Sequence, residues 1–150
     1  MSVNAARPLR LKFSAARMNA PPESQVVLVV EDDAALQRAL GGLLGRQGFS
    51  PVTATTVSGA IRAAEQQPVS AIILDLLLDG NESGVDFLAW LRQKPKYQRT
   101  PVLIYTGRTM QESDAEELIL RYRAHVFYKP HPVTLLVEYL RRLTAAPDTK

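Results

Sequence analysis

The run Ala71-Ile72-Ile73-Leu74-Asp75 constrains this chain more than any other stretch. Four consecutive apolar residues are too few for a helix and show no alternation with polar ones. A run of this kind fits a strand covered on both faces, as in the interior of a parallel sheet. It delivers a carboxylate at its carboxyl end. Ligands of open parallel sheets bind in the crevice outside the carboxyl ends of the strands, so Asp75 is placed to point into it. Three other runs end in a similar way. Val26 to Val30 leads into Glu31-Asp32-Asp33, Val102 to Tyr105 ends at Thr106, and Val126 to Tyr128 ends at Lys129-Pro130. With the strands parallel and adjacent, three carboxylates, a hydroxyl and an amine share one site.

Helical patterns separate these runs. Strands are expected at 25–30, 51–55 (weaker), 71–75, 101–105 and 125–128. Asp33 suits a helix N-cap, followed by Leu36, Leu40, Leu43, Leu44 and Gln47 on one face, with Gly48 as the stop. A second helix over 56–67 shows Val57, Ala60, Ile61 and Ala64, and closes at Pro68. Leu76 to Ser83 is a loop with the turn signal Asp79-Gly80-Asn81. A third helix runs over 84–93 with Phe87, Leu88 and Leu91 inward. Ser113-Asp-Ala-Glu116 has the form of a capping box opening a fourth helix, with Ala115, Leu118, Ile119 and Tyr122 on its inner face. Val133, Leu136, Val137 and Leu140 mark a fifth. Five strands alternating with five helices predict an α/β fold, a doubly wound five-stranded parallel sheet with helices on both faces.

The 150 residues are most simply one such domain, spanning 25–145, with an extension over 1–24 and a short tail over 146–150. Arg7, Arg10, Lys12 and Arg17 lie in an acid-free beginning. Without them, 14 of the 18 cations face 15 acids. The basic character therefore belongs to the extension, read as disordered or as a mistaken upstream start before Met18. A targeting peptide, or a contact for nucleic acid or anionic lipid, is its functional reading. The chain has no cysteine, which excludes disulfides and thiolate metal sites. No apolar run approaches the roughly 20 residues of a membrane span. A cytoplasmic location is expected.

Glu31, Asp32 and Asp75 would concentrate negative charge, and uncompensated carboxylates at close range recruit a cation. An all-oxygen cluster with water access suits Mg2+. A carboxylate can also be a nucleophile toward phosphorus, with a metal and a lysine offsetting charge on the transferring oxygens. On Glu31-Asp32-Asp33, Ile73-Leu74-Asp75, Gly84, Tyr105-Thr106-Gly107 and Lys129-Pro130, in this order and spacing, the chain resembles the receiver domains of two-component response regulators. The resemblance implies that Asp75 is the phosphoacceptor. Asp32 would be the direct Mg2+ ligand, Glu31 the second acid and the backbone carbonyl of Leu77 the third protein ligand. Lys129 would bind phosphate, with a cis Lys129-Pro130 peptide, and Thr106 would be the switch hydroxyl.

The resemblance implies a flavodoxin-like receiver fold of the stand-alone type. It also implies a sensor histidine kinase or histidine phosphotransfer protein as phosphodonor, and an output by protein contact or phosphorelay. The second apolar row of the last helix, Leu135 and Tyr139, either completes a wide core face or joins Leu120 of helix four in a homodimer or partner surface on the helix four, strand five and helix five face. With about 20 residues after Lys129, no DNA-binding domain is expected there, and the chain is expected to be a switch rather than a metabolic enzyme. Three positions depart from the family pattern. Asp79 replaces a usual proline, Gly84 comes one residue late, and Val126 stands where an aromatic switch residue is usual. These departures motivate the alternative of a phosphorylation-independent scaffold. Leu77 and Arg108 should flank the phosphoryl group. Neither positions attacking water, so slow self-dephosphorylation is expected. His125 and His131 lack zinc-type partners and are read as exposed or structural, and Trp90 as a packing residue.

Overall fold

A computed structural model describes residues 24–145. The basic extension, including Arg7, Arg10, Lys12 and Arg17, and the 146–150 tail lie outside the described residues. The central sheet contains β1 (Val26–Val30), β2 (Ser50–Ala54), β3 (Ala71–Leu74), β4 (Val102–Thr106) and β5 (His125–Tyr128). All pairings are parallel, in the order β2-β1-β3-β4-β5. The helices are α1 (Ala34–Arg46), α2 (Val57–Gln66), α3 (Gly84–Arg92), α4 (Glu112–Tyr122) and α5 (Val133–Thr144). None of them is long and apolar enough to cross a membrane.

The inner strands β1, β3 and β4 are rich in Val, Ile and Leu, which suit a pleated surface buried on both sides. Successive side chains point to opposite faces, so each strand feeds two cores. Leu28, Val30, Ile72, Leu74 and Ile104 pack with α2, α3 and α4 through Ala60, Phe87, Leu88 and Leu118. Val27, Val29, Ile73, Leu103 and Tyr105 pack with α1 and α5 through Leu40, Leu44, Leu136 and Leu140. A one-residue slip would exchange these two sets and mismatch both layers, which fixes the register. The register in turn sets the strand ends side by side.

The expected Asp33 cap is present, and Thr56 and Ser83 add caps that were not expected. Asp33 accepts from the Leu36 amide, Thr56 from Gly59 and Ser83 from Val85. Gly48 follows α1 with a positive φ of 92°. Three local expectations are corrected. The capping box does not open α4. The helix begins at Glu112, before Ser113, and its first turn is closed on the Gln111 carbonyl by the amides of Asp114 and Ala115. Ile119 is not on the inner face but is 44% exposed, because α4 buries a narrow stripe centred on Leu118. Leu76 to Ser83 is not irregular. Leu77–Leu78 pairs antiparallel with Glu82–Ser83 around a tight turn at Asp79–Asn81. Strand limits also shift by one residue, with Asp75 just past β3 and Thr106 the last residue of β4.

Candidate functional site

The site lies where β1, β3, β4 and β5 end. Its frame is made of backbone hydrogen bonds that tie each strand end to its neighbour. The Glu31 amide donates to the Ala54 carbonyl at 2.9 Å, the Asp75 amide to Val30 at 2.9 Å, and the Lys129 amide to Thr106 at 2.8 Å. Gly84 brings α3 against this frame. Its amide donates to the Leu76 carbonyl at 2.8 Å, and a Cβ there would fall 2.3 Å from the Asp75 carbonyl oxygen. Only glycine permits that approach without displacement.

Glu31, Asp32 and Asp75 each place a carboxylate oxygen within 4.8 Å of the others. Glu31 and Asp75 are 3% and 7% exposed. The Lys129 Nζ donates to Glu31 Oε1 at 2.9 Å and to Asp75 Oδ2 at 3.2 Å. The Leu77 amide donates to Asp75 Oδ1 at 3.3 Å, and the Asp33 amide to Glu31 Oε2 at 3.1 Å. Burial pushes the Glu31 carboxyl up, and repulsion from Asp75 adds to this, against the opposing bonds from Lys129 and Asp33. Burial alone would lower the Lys129 amine, but its bond to Glu31 and the two acid charges hold it raised. Three acids against one ammonium leave an excess of two negative charges. That balance and an all-oxygen donor set fit a hard divalent cation. Glu31, Asp32 and Asp75 are the side chains that could hold it.

Thr106 is fully buried, and its Oγ1 accepts from the Arg108 amide at 3.1 Å. The Lys129-Pro130 peptide is cis. Leu77, whose carbonyl is the expected third ligand, begins the short ribbon and has a 54% exposed side chain. Val126 packs half-buried toward the α3 and α4 core, while Phe127 turns to the other face against Tyr139. The position expected to carry an aromatic is thus filled by a small apolar side chain. His125 is half-buried beside Tyr139, whose hydroxyl lies 2.9 Å from Nδ1, and Trp90 stacks on Phe87.

Two loop acids make specific contacts. Glu82 Oε1 accepts from the Val57 amide at 2.8 Å, pinning the ribbon to the start of α2. A helix N-terminus leaves its first amides unpartnered, so an acid on a nearby loop is a natural cap. No sequence pattern links residues 25 positions apart, and this contact could not be read in advance. Asp79 comes within hydrogen-bonding reach of Asp32 once one of them carries a proton. That bond and the adjacent like charge raise the Asp79 carboxyl.

A sequence profile of the family described as the response regulator receiver domain matches residues 27–141. The chain belongs to this family. The receiver is 36% identical over 121 residues to the transcriptional regulatory protein KdpE of Mycobacterium tuberculosis, covering 81% of this chain and 50% of that protein. It is 31% identical over 86 residues to the phosphate regulon transcriptional regulatory protein PhoB of Escherichia coli, covering 57% of this chain and 37% of that one. The chain thus spans half or less of the length of these relatives. Among solved structures, the chemotaxis protein CheY4 of Vibrio cholerae is 25% identical, with a TM-score of 0.70 over 80% of this chain and 98% of that one. The receiver domain of sensor histidine kinase PA1611 from Pseudomonas aeruginosa, solved with a magnesium ion in its active site cleft, shares the fold. Its TM-score is 0.70 at 23% identity, over 83% of this chain and 100% of that one.

Proposed function

We propose that this receiver accepts a phosphoryl group on Asp75 from a phosphohistidine of a sensor histidine kinase or histidine phosphotransfer protein, with Mg2+ bound. The carrying observation is the Lys129 ammonium set between Glu31 and Asp75, 3.2 Å from the Asp75 oxygen, with the Asp32 carboxylate at the same point. Glu31, Asp32, Asp75 and the Leu77 carbonyl are the proposed ligands. Bound Mg2+ would neutralise charge on the transferring oxygens. An Asp75 oxygen attacks phosphorus, the bond from phosphorus to the donor imidazole breaks, and the electron pair leaves with the imidazole nitrogen. Lys129 holds positive charge beside the incoming phosphoryl oxygens, and the Thr106 hydroxyl at the end of β4 turns toward them.

The chemistry is that of a switch, with phosphate gained and lost on the protein itself and no metabolite turned over. Phosphorylation shifts a two-state equilibrium in the α4, β5 and α5 face. That face exposes Leu120, Leu135 and Tyr128 at 74%, 56% and 44%. It also carries Glu117 with Arg121 and Glu138 with Arg141, so both signs of charge flank the apolar residues. A patch with both signs can complement itself across a two-fold axis, and a second copy of the chain is its proposed partner.

The reading is tested with a beryllium fluoride phosphoryl mimic and Mg2+, followed by amide NMR, with Asp75→Ala as control. Mg2+-dependent shifts at residues around Asp75 and Thr106 that vanish in the variant are expected. An unresponsive wild-type protein would favour a scaffold that works without phosphorylation. Shifts reaching Val126 and α5 would establish switching without the usual aromatic.

A further inference from the structure

The segment 87–111 contains five cations and no acid, and four of the five fall between Arg92 and Arg99. Residues 93–101 form the connection from α3 into β4, at the end of the sheet away from Asp75. Arg92 reaches across it. Its Nε donates to the Tyr122 carbonyl, and Nη1 to the Tyr97 and Thr100 carbonyls, each at 2.8 Å. Arg123 ends α4 in a left-handed conformation with φ of 56°, and its guanidinium donates to the Gln98 carbonyl at 2.6 Å. These bonds fix where the guanidinium groups sit, but carbonyl oxygens do not neutralise them. Among the described residues, Arg92, Arg99 and Arg123 form no ion pair with a carboxylate. Burial lowers the Arg92 pKa to about 10, and the charge of Arg123 adds to this.

The three arginines line one open cavity of about 620 Å³, together with Thr100, His125 and Leu143, and no acidic residue borders it. That volume lies within the ordinary range of small-molecule sites, roughly 300–1,000 Å³. A bracing role accounts for Arg92. It does not account for Arg99, which makes no side-chain hydrogen bond among the described residues, or for three like charges meeting without a counter-ion. Guanidinium forks match phosphate oxygens in pairs, more closely than a lysine point charge does. Leu143 adds an apolar residue to the lining and His125 an imidazole, for the rest of a ligand.

We propose that this cavity is a second ligand site, for a small phosphate-bearing anion, independent of the phosphoacceptor site at the opposite sheet end. A nucleic-acid backbone would instead call on the outward stripe of Lys94 and Lys96, which lie over the Trp90 and Tyr97 rings outside the cavity. The site concentrates charge inside a hollow rather than along that stripe, which favours the small anion.

The test is a titration of the full chain with sodium pyrophosphate, without Mg2+, at physiological salt, read by amide NMR. One saturable set of shifts at Thr100, Arg123 and His125 is expected, with Asp75 and Thr106 unmoved. Arg99→Gln, at an exposed position with no bond to lose, should weaken affinity about tenfold, since it deletes a charge-assisted contact. Arg123→Asn, which tolerates the left-handed backbone, should weaken it similarly. Shifts that do not saturate, or an Arg99→Gln variant that binds as the wild type does, would overturn the proposal. So would a response confined to Lys94 and Lys96, which would mark an open surface for polyanions.

Discussion

Removing the Lys129 ammonium would leave Glu31 and Asp75, both nearly buried, facing each other without a cation. Breaking one partner of a buried ion pair is costly because the other charges stay behind. Lys129 keeps some exposure, so the effect is moderated. Lys129→Met should lower stability by about 1–3 kcal/mol in Mg2+-free buffer, measured by urea denaturation, and Mg2+ should recover part of the loss. His125 supplies a second residue-level test. Burial lowers its pKa below the ordinary 6.5. The unfolded chain therefore binds a proton more readily than the folded one between that lowered value and 6.5. Stability from this group is fully present above pH 6.5 and is lost as pH falls through that window. An imidazole NMR titration should give a midpoint below 6.5, and one at or above 6.5 would contradict the assignment. The charged members of the site were legible in the sequence, because each directly follows or closes an apolar run. Glu82 and Asp79 were not, because their partners Val57 and Asp32 are distant in the chain and only folding brings them together.

At the level of elements, the start of α3 is the most demanding contact. The Gly84 Cα lies so close to the Asp75 carbonyl that an added methyl group would overlap it. Gly84→Ala should cost about 1–3 kcal/mol, the usual penalty of overpacking, and should displace the Asp75 backbone. Reduced stability together with slower acquisition of the beryllium fluoride state would show both effects, and unchanged values would sink the idea. The long elements were legible because unbroken apolar runs mark buried strands, the 3.6-residue period marks helices, and the cap at Asp33 carries a carboxylate acceptor. The start of α4 was not. Ser113 and Glu116 fit a capping box by type, yet the backbone closed the turn two residues earlier on Gln111, where Glu112 and Asp114 also favour the helix dipole. The ribbon at Leu77–Leu78 and Glu82–Ser83 is too short to leave a periodic trace.

For the molecule as a whole, the face of α4 and α5 exposes Leu120 and Leu135 among the described residues. A charge at Leu135 would be buried by a self-association that uses this face, but it touches nothing in the core, since Leu135 is 56% exposed. With the phosphoryl mimic bound, the wild-type chain should increase in mass with concentration in light scattering, and Leu135→Glu should stay monomeric with unchanged melting. Identical masses for the two proteins would remove this face from consideration. The doubly wound topology was legible as a whole, because apolar runs buried on both sides leave few alternatives to an inner parallel strand. The fate of the apolar row at Leu135 and Tyr139 was not. Tyr139 turns inward against Phe127 and His125 while Leu135 stays out, a division set by the position of β5 beneath the helix.

The short ribbon after Asp75 has a consequence for how such a protein can diversify. It is anchored at Leu76 to Gly84 and at Glu82 to Val57, and between these anchors the chain reverses at the Gly80-Asn81 tip, where both φ angles are positive. The tip is therefore a graft point. Segments of different length and polarity could be exchanged there to change which proteins recognise the rim, while the carboxylate beneath keeps its place.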